Sequence, residues 1–151
     1  MAIKQKTSVM LNVSGDCPSH SLSNISVRDI TFAIDEPNER GGTNTGPTPT
    51  DTAIAALVGC TNVIGHKCAK KLGIELGHLS IDAKCEFDRR GVMLHEDIDV
   101  PFKKIVLTVK TSGTATQAEL DRVAAEVNNY CPLSKLFRQA GTQIEEYWQP
   151  A

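Results

Sequence analysis

No apolar run in this chain approaches the length needed to cross a bilayer. The opening MAIKQKTSVM carries charged or polar groups too often for a signal-peptide core, so a cytoplasmic location is expected. Lysine and arginine never form a run. With a formal charge of −2 and a pI of about 6.1, nucleic acid and anionic membrane surfaces are poor candidate partners. Paired C-x-x-C and H-x-x-x-H motifs are also missing. Cys17-Pro18-Ser19-His20 has a C-x-x-H look and His66 stands near Cys68, but a zinc site usually needs four ligands at close spacings. No metal and no cofactor are expected. Repeats, low-complexity tracts and dividing linkers are absent as well. The 151 residues, 40% of them hydrophobic, therefore read as one domain, 1–151. Five cysteines, an odd number, fit a reducing cytosol better than a disulfide scaffold. In that compartment the glycosylation-like tripeptides at Asn12 and Asn24 are chance matches.

The strongest local signal runs from Pro47 to Leu72. Thr48 is a natural N-cap, Pro49 suits the first helical position, and Asp51 places negative charge in the first turn. Residues Ala53 to Cys60 carry no charge and include Ala53, Ala55, Ala56 and Gly59. The pattern predicts a helix over 49–72, buried all round and lined with small residues that admit other backbones, with Gly73 as its stop.

Around this helix the periodicities change. Val9, Leu11 and Val13 alternate with polar or opposite-facing residues, predicting a strand over 7–13, followed by a loop over 14–19. Ile25 and Val27, then Ile30, Phe32 and Ile34, shift phase at Arg28-Asp29; this means two short strands or one bulged strand. The polar stretch 35–42 reads as a surface loop. Leu79, Ile81, Ala83, Cys85 and Phe87 alternate cleanly, predicting an antiparallel strand over 78–88, and a further strand region runs from Ile98 to Val109. Thr116 and Glu119 form a capping box for a helix bearing Leu120, Val123, Ala124 and Val127 on one face. Cys131-Pro132 interrupts it, a short helix follows over 132–140, and a terminal strand lies around 144–148. The order predicts an α+β fold: helices on one side of an antiparallel sheet.

Two cysteines stand out. Cys131 precedes Pro132 at a helix N-terminus, where exposed N–H groups and the helix dipole favour a thiolate and a lowered pKa. Cys60 lies too far inside its helix for that help, so as a reactive thiol it needs a cation from elsewhere. Arg40 is the nearest in sequence, and Asp51 could hold that guanidinium by a two-point contact. Cys85 falls on an apolar strand face and reads as core; Cys68, two turns beyond Cys60, could pack at a subunit interface. Tyr130, Phe137 and Trp148 read as core or pocket wall. Both cysteines as inert packing residues is the structural alternative.

Several runs together resemble the OsmC/Ohr family, the osmotically inducible and organic hydroperoxide resistance proteins. They are Asp35-Glu36-Pro37, the stretch from Gly41 to Asp51, Ala56-Leu57-Val58-Gly59-Cys60-Thr61, and Tyr130-Cys131-Pro132-Leu133-Ser134. The resemblance implies an OsmC-like fold: an intertwined α+β homodimer around two long central helices. It also implies that Cys60 attacks the peroxide O–O bond and becomes a sulfenic acid, that Cys131 resolves it as a disulfide, and that an external dithiol reductant reduces the bridge. By the same resemblance Arg40 stabilises negative charge, and a carboxylate from the start of the helix orients it. Many peroxidases of the family carry Glu about ten residues before the cysteine. Thr50 holds that position here, and Asp51 is the acidic substitute. The apolar neighbours Ala56, Leu57, Val63 and Ile64 suit an alkyl or fatty-acid hydroperoxide as substrate. The alternative is a non-catalytic member that binds a small apolar or electrophilic ligand.

Overall fold

The computed structural model describes residues 5–151; the first four residues of the opening segment, and of the expected 1–151 domain, lie outside the described residues. The chain forms two compact units, one reaching to Thr52 and one from Ala53 onward.

The first unit holds a three-stranded antiparallel sheet of β1 (Ser14–Asp16), β2 (Ser23–Val27) and β3 (Ile30–Ile34) in sequence order. The phase shift at Arg28-Asp29 is a hairpin turn pairing Val27 with Ile30, and Arg28 enters the left-handed region at φ 55°. Two expectations need correction. Residues 7–13 form no strand, and the first strand lies in what reads as loop. Alternation supplies a strand's faces but not its hydrogen-bonding partner. No described strand pairs with 7–13, and Val9, Met10, Leu11 and Val13 stand 65–85% exposed.

The polar stretch after β3 is organised by a buried anion rather than by solvent. Asp35 is fully buried, and its carboxylate accepts from the amides of Glu36 (2.8 Å), Thr43 (3.0 Å) and Thr45 (3.1 Å) and from the Thr43 hydroxyl (2.5 Å). The Thr43 hydroxyl contributes most to holding this carboxyl well below the usual carboxylate range, against the opposing effect of burial. Within the loop, Asn38–Arg40 make one 3-10 turn closed by Gly41 at φ 82°.

Helix α1 (Pro49–Leu72) has the bounds read from the sequence. Thr48 Oγ1 accepts from the Asp51 amide (3.1 Å) and donates to the Asp51 carboxylate (2.7 Å), so cap and first-turn acid satisfy one another. The helix is not buried all round. Leu57, Thr61, Gly65, Cys68 and Ala69 are buried, whereas Ala55, Ala56, Gly59 and Val63 are exposed. One face packs into the core, and the small-residue face is the exposed one.

In the second unit β4 (Leu79–Phe87) pairs antiparallel with β5 (Phe102–Thr111), and β6 (Gln143–Pro150) pairs parallel with β5. The sheet is therefore mixed where an all-antiparallel one is expected. The chain returns from β5 to β6 through helices α2 (Gln117–Tyr130) and α3 (Pro132–Gln139), and such a crossover brings the strand back in the same direction. Ile98 and Val100 belong to the long β4–β5 connection, pinned by Arg90 between Asp88 and Glu96. The expected capping box starts α2, with Thr116 and Glu119 exchanging hydrogen bonds. The core joins Leu57, Cys68 and Ala69 of α1 to Leu107, Val109, Leu120, Val123, Val127 and Trp148. Gly65 is required there, because a Cβ at that position would sit 2.9 Å from Trp148 Cη2.

Candidate active site

Cys131 is the joint between two helices, both the C-cap of α2 and the N-cap of α3. Pro132 cannot donate an amide and occupies the first position of α3, where none is needed. The Cys131 sulfur takes the capping role, accepting from the Ser134 amide at 3.4 Å. This sulfur is completely buried and points at α1. Its Sγ lies 3.1 Å from Sγ of the half-buried Cys60, with Cys131 as the donor, and both cysteines are free thiols.

The lowered pKa expected for Cys131 is reversed: its thiol is pushed up to about 11. Burial is the largest cause, and the Cys60 sulfur adds to it. The Ser134 and Leu133 amides act in the expected direction but do not prevail. A helix N-terminus favours a thiolate only if solvent or a cation shares the work, and Cys131 is sealed from water. Cys131 therefore keeps its proton at neutral pH.

Arg40 and Asp51 both lie in the first unit, and the expected two-point contact between them is not made. Arg40 Nε pairs with Glu36 Oε2 at 2.7 Å, with its side chain 61% exposed, and the Asp51 carboxylate is taken by Thr48. Each has a partner closer along the chain, in an i,i+4 pair and a helix cap respectively. Cys68 is also corrected: it is buried in this chain's own core, where burial raises its pKa, and does not await a partner. Cys85 is half-buried on β4 and likewise raised by burial. Of the apolar residues expected near Cys60, Leu57 is buried and Ile64 half-buried, while Ala56 and Val63 are exposed. A groove of about 490 Å³ lined by Val58, Gly59, Asn62, His66, His78 and Ile81 contains neither sulfur.

One residue near the pair escaped the sequence reading. Arg138 Nε donates to Ser134 Oγ at 3.2 Å, Nη2 to Asn128 Oδ1 at 3.2 Å, and Nη1 to the Ile144 carbonyl at 3.5 Å. The available signal was spacing: Arg138 stands four residues after Ser134, on the same side of α3.

A family model described as OsmC-like protein matches residues 42–146, more than half of the chain. The chain belongs to the OsmC-like protein family. Solved structures agree in fold. An OsmC-like protein from Mycoplasma pneumoniae superposes with a TM-score of 0.74 at 13% identity, covering 99% of this chain and 98% of that one. The organic hydroperoxide resistance protein OsmC from Legionella pneumophila gives 0.71 at 17% identity, covering 95% and 99%. The organic hydroperoxide resistance protein OhrB of Bacillus subtilis gives 0.65 at 19% identity, covering 93% and 98%. No curated protein matches the chain in sequence. Among the described residues no helix is long and apolar enough to cross a membrane.

Proposed function

We propose that this chain is a thiol-dependent peroxidase that reduces organic hydroperoxides. The observation that carries this reading is the 3.1 Å approach of the Cys60 and Cys131 sulfurs. As a thiolate, Cys60 attacks the distal oxygen of R–OOH; the S–O bond forms, the O–O bond breaks, and RO⁻ takes a proton to leave as the alcohol. The Cys60 sulfenic acid then meets Cys131. A sulfur–sulfur bond forms, the S–O bond breaks, and hydroxide leaves with a proton as water. An external dithiol reduces the disulfide by thiol exchange. The half-buried member of the pair is the one that a peroxide can reach, and the sealed member is left for the second step. Leu57 and Ile64 beside the thiols favour an organic peroxide over hydrogen peroxide.

In this reading Arg40 stabilises the charge on Cys60 and Asp51 orients it, and both must exchange their present partners. The working unit is a homodimer in a reducing, cytoplasmic setting. The uncovered Val9–Val13 segment and the uncovered small-residue face of α1 are the surfaces that a second copy would bury.

One equivalent of cumene hydroperoxide, followed by mass spectrometry, tests the proposal. A loss of two hydrogens, with a peptide linking Cys60 to Cys131, is expected. An unchanged mass with both thiols free would overturn it. That outcome would favour the second reading, a member that binds a small apolar or electrophilic ligand without turnover. Thr50 in the place of the family's Glu, and the present partners of Arg40 and Asp51, speak for that reading.

A further inference from the structure

A buried thiol makes a poor resolving group unless its sulfur is aimed and its developing charge is met. Among the described residues, the polar groups that meet the Cys131 sulfur besides Cys60 are the amides of the first turn of α3. That turn is fixed from behind. Ser134 is 1% exposed, its amide points at the Cys131 sulfur and its hydroxyl is held by Arg138. The same guanidinium reaches Asn128 of α2 and the Ile144 carbonyl of β6. One side chain thus ties together α2, α3 and β6 around the residue at which α2 ends and α3 begins. A planar guanidinium with five donors can do this, and a lysine ammonium cannot match the geometry.

We propose that Arg138 is a positioning residue for the resolving step: through Ser134 it holds the first turn of α3 so that Cys131 closes onto Cys60. This rests on the thiol chemistry proposed above. Bridge formation must shorten the sulfur separation from 3.1 Å to the bonded distance of about 2.05 Å. A joint clamped on three elements makes that movement repeatable. A loosened one lets the Cys60 sulfenic acid wait and meet a second peroxide. The cation also lies behind the hydroxyl of the residue whose amide receives the thiolate, so it favours the charge that appears as Cys131 gives up its proton.

The test separates the two chemical steps. In single turnover with cumene hydroperoxide, Cys60 oxidation is followed by trapping the sulfenic acid with dimedone, and bridge closure by mass spectrometry. Arg138→Ala is expected to lower the ratio of bridge-closing rate to oxidation rate at least tenfold, with Cys60 sulfinic acid accumulating under excess peroxide. Ser134→Ala should reproduce the defect, and the double variant should be no worse than either single one. Arg138→Lys, which keeps the charge but only part of the contacts, should recover part of the ratio. A ratio within twofold of wild type in Arg138→Ala would overturn the proposal, as would equal slowing of both steps. A diamide arm keeps the result independent of peroxide turnover. Diamide takes two electrons and two protons from the thiol pair, becoming the hydrazine as the disulfide forms. Slow bridging by Arg138→Ala with diamide supports the positioning role even if the wild-type chain ignores peroxides. Bridging at the wild-type rate refutes it.

Discussion

The sulfur of Cys131 stands 3.1 Å from the sulfur of Cys60, across 71 residues of sequence, and it is the donor of the pair. The proposed scheme gives these two chemically identical groups unequal parts. Cys60→Ser should abolish peroxide turnover. Cys131→Ser should allow one fast oxidation and then stall, with Cys60 driven to sulfinic and sulfonic acids as peroxide is added. Steady-state assays with intact-mass measurement distinguish the two. Undiminished activity in both variants would exclude the scheme.

Much of the fold is legible in the sequence. The Thr48 cap, Pro49 and Gly73 delimit α1, and Thr116 with Glu119 delimits the start of α2, because both signals are local and satisfied within a few residues. Cys131-Pro132 marks the helix joint for the same reason. What was not legible depends on contacts distant in sequence. Residues 7–13 have the strand pattern without a partner edge, and β6 looks the same from sequence whether it runs parallel or antiparallel to β5. The pKa of Cys131 runs against its sequence signal because a helix start displays the dipole, whereas complete burial depends on distant packing. Arg40 and Asp51 both lie near the helix start, which suggests a pairing that the fold does not make. Glu36 and Thr48 are nearer to them and take them first.

Asp35 offers a test of the loop that carries Arg40. Its carboxylate gathers three amides and one hydroxyl, so Asp35→Ala leaves those donors without their acceptor and should lower the melting temperature at pH 7. The folded pKa is depressed, so the ionised carboxylate stabilises the fold above the ordinary value of 3.8, and that contribution fades as pH falls below it. The gap between wild type and variant in thermal melts should therefore shrink in acid. A gap constant from pH 7 to pH 3 would contradict this.

Glu146 points the other way. Its carboxyl oxygens are buried without a well-formed hydrogen bond, and burial, the largest cause, raises its pKa against the opposing pull of Arg138 and of the neighbouring Trp148 indole N–H. Such a group destabilises the fold once it must ionise. Glu146→Gln should raise stability at pH 7 by on the order of 1 kcal/mol, or about 2–4 °C in melting temperature. Because the folded pKa is raised, wild type matches the variant best below the ordinary value of 4.5 and falls behind as pH climbs through the folded value. Equal melting temperatures across that range would show that the carboxyl is satisfied.

Leu11 is 85% exposed within an apolar alternation that no described strand pairs. If a second copy covers it, Leu11→Asp should shift sedimentation from twice 16.3 kDa toward 16.3 kDa. A wild-type chain that sediments as a monomer would remove the homodimer from the proposed function.

The sealed position of Cys131 has a consequence at high pH that the other cysteines help to isolate. Its folded pKa of about 11 lies above the ordinary thiol value of 9.0, so the neutral form is the one that the fold prefers. The contribution is complete below pH 9 and is lost as pH rises through 11. Cys68 and Cys85 are raised by burial too and act in the same direction. They are common to wild type and Cys131→Ser, so the difference between those two proteins reports Cys131. Denaturant titrations at intervals from pH 8 to pH 11 should show wild type losing stability faster than Cys131→Ser. Iodoacetamide labelling of Cys131 in the folded protein should rise about tenfold per pH unit from pH 8 to pH 10 and less steeply as pH nears 11, since only the thiolate reacts. Labelling at pH 7 as rapid as that of a free thiol would mean that the sulfur is open to water. The reason for giving it the second step would then be gone.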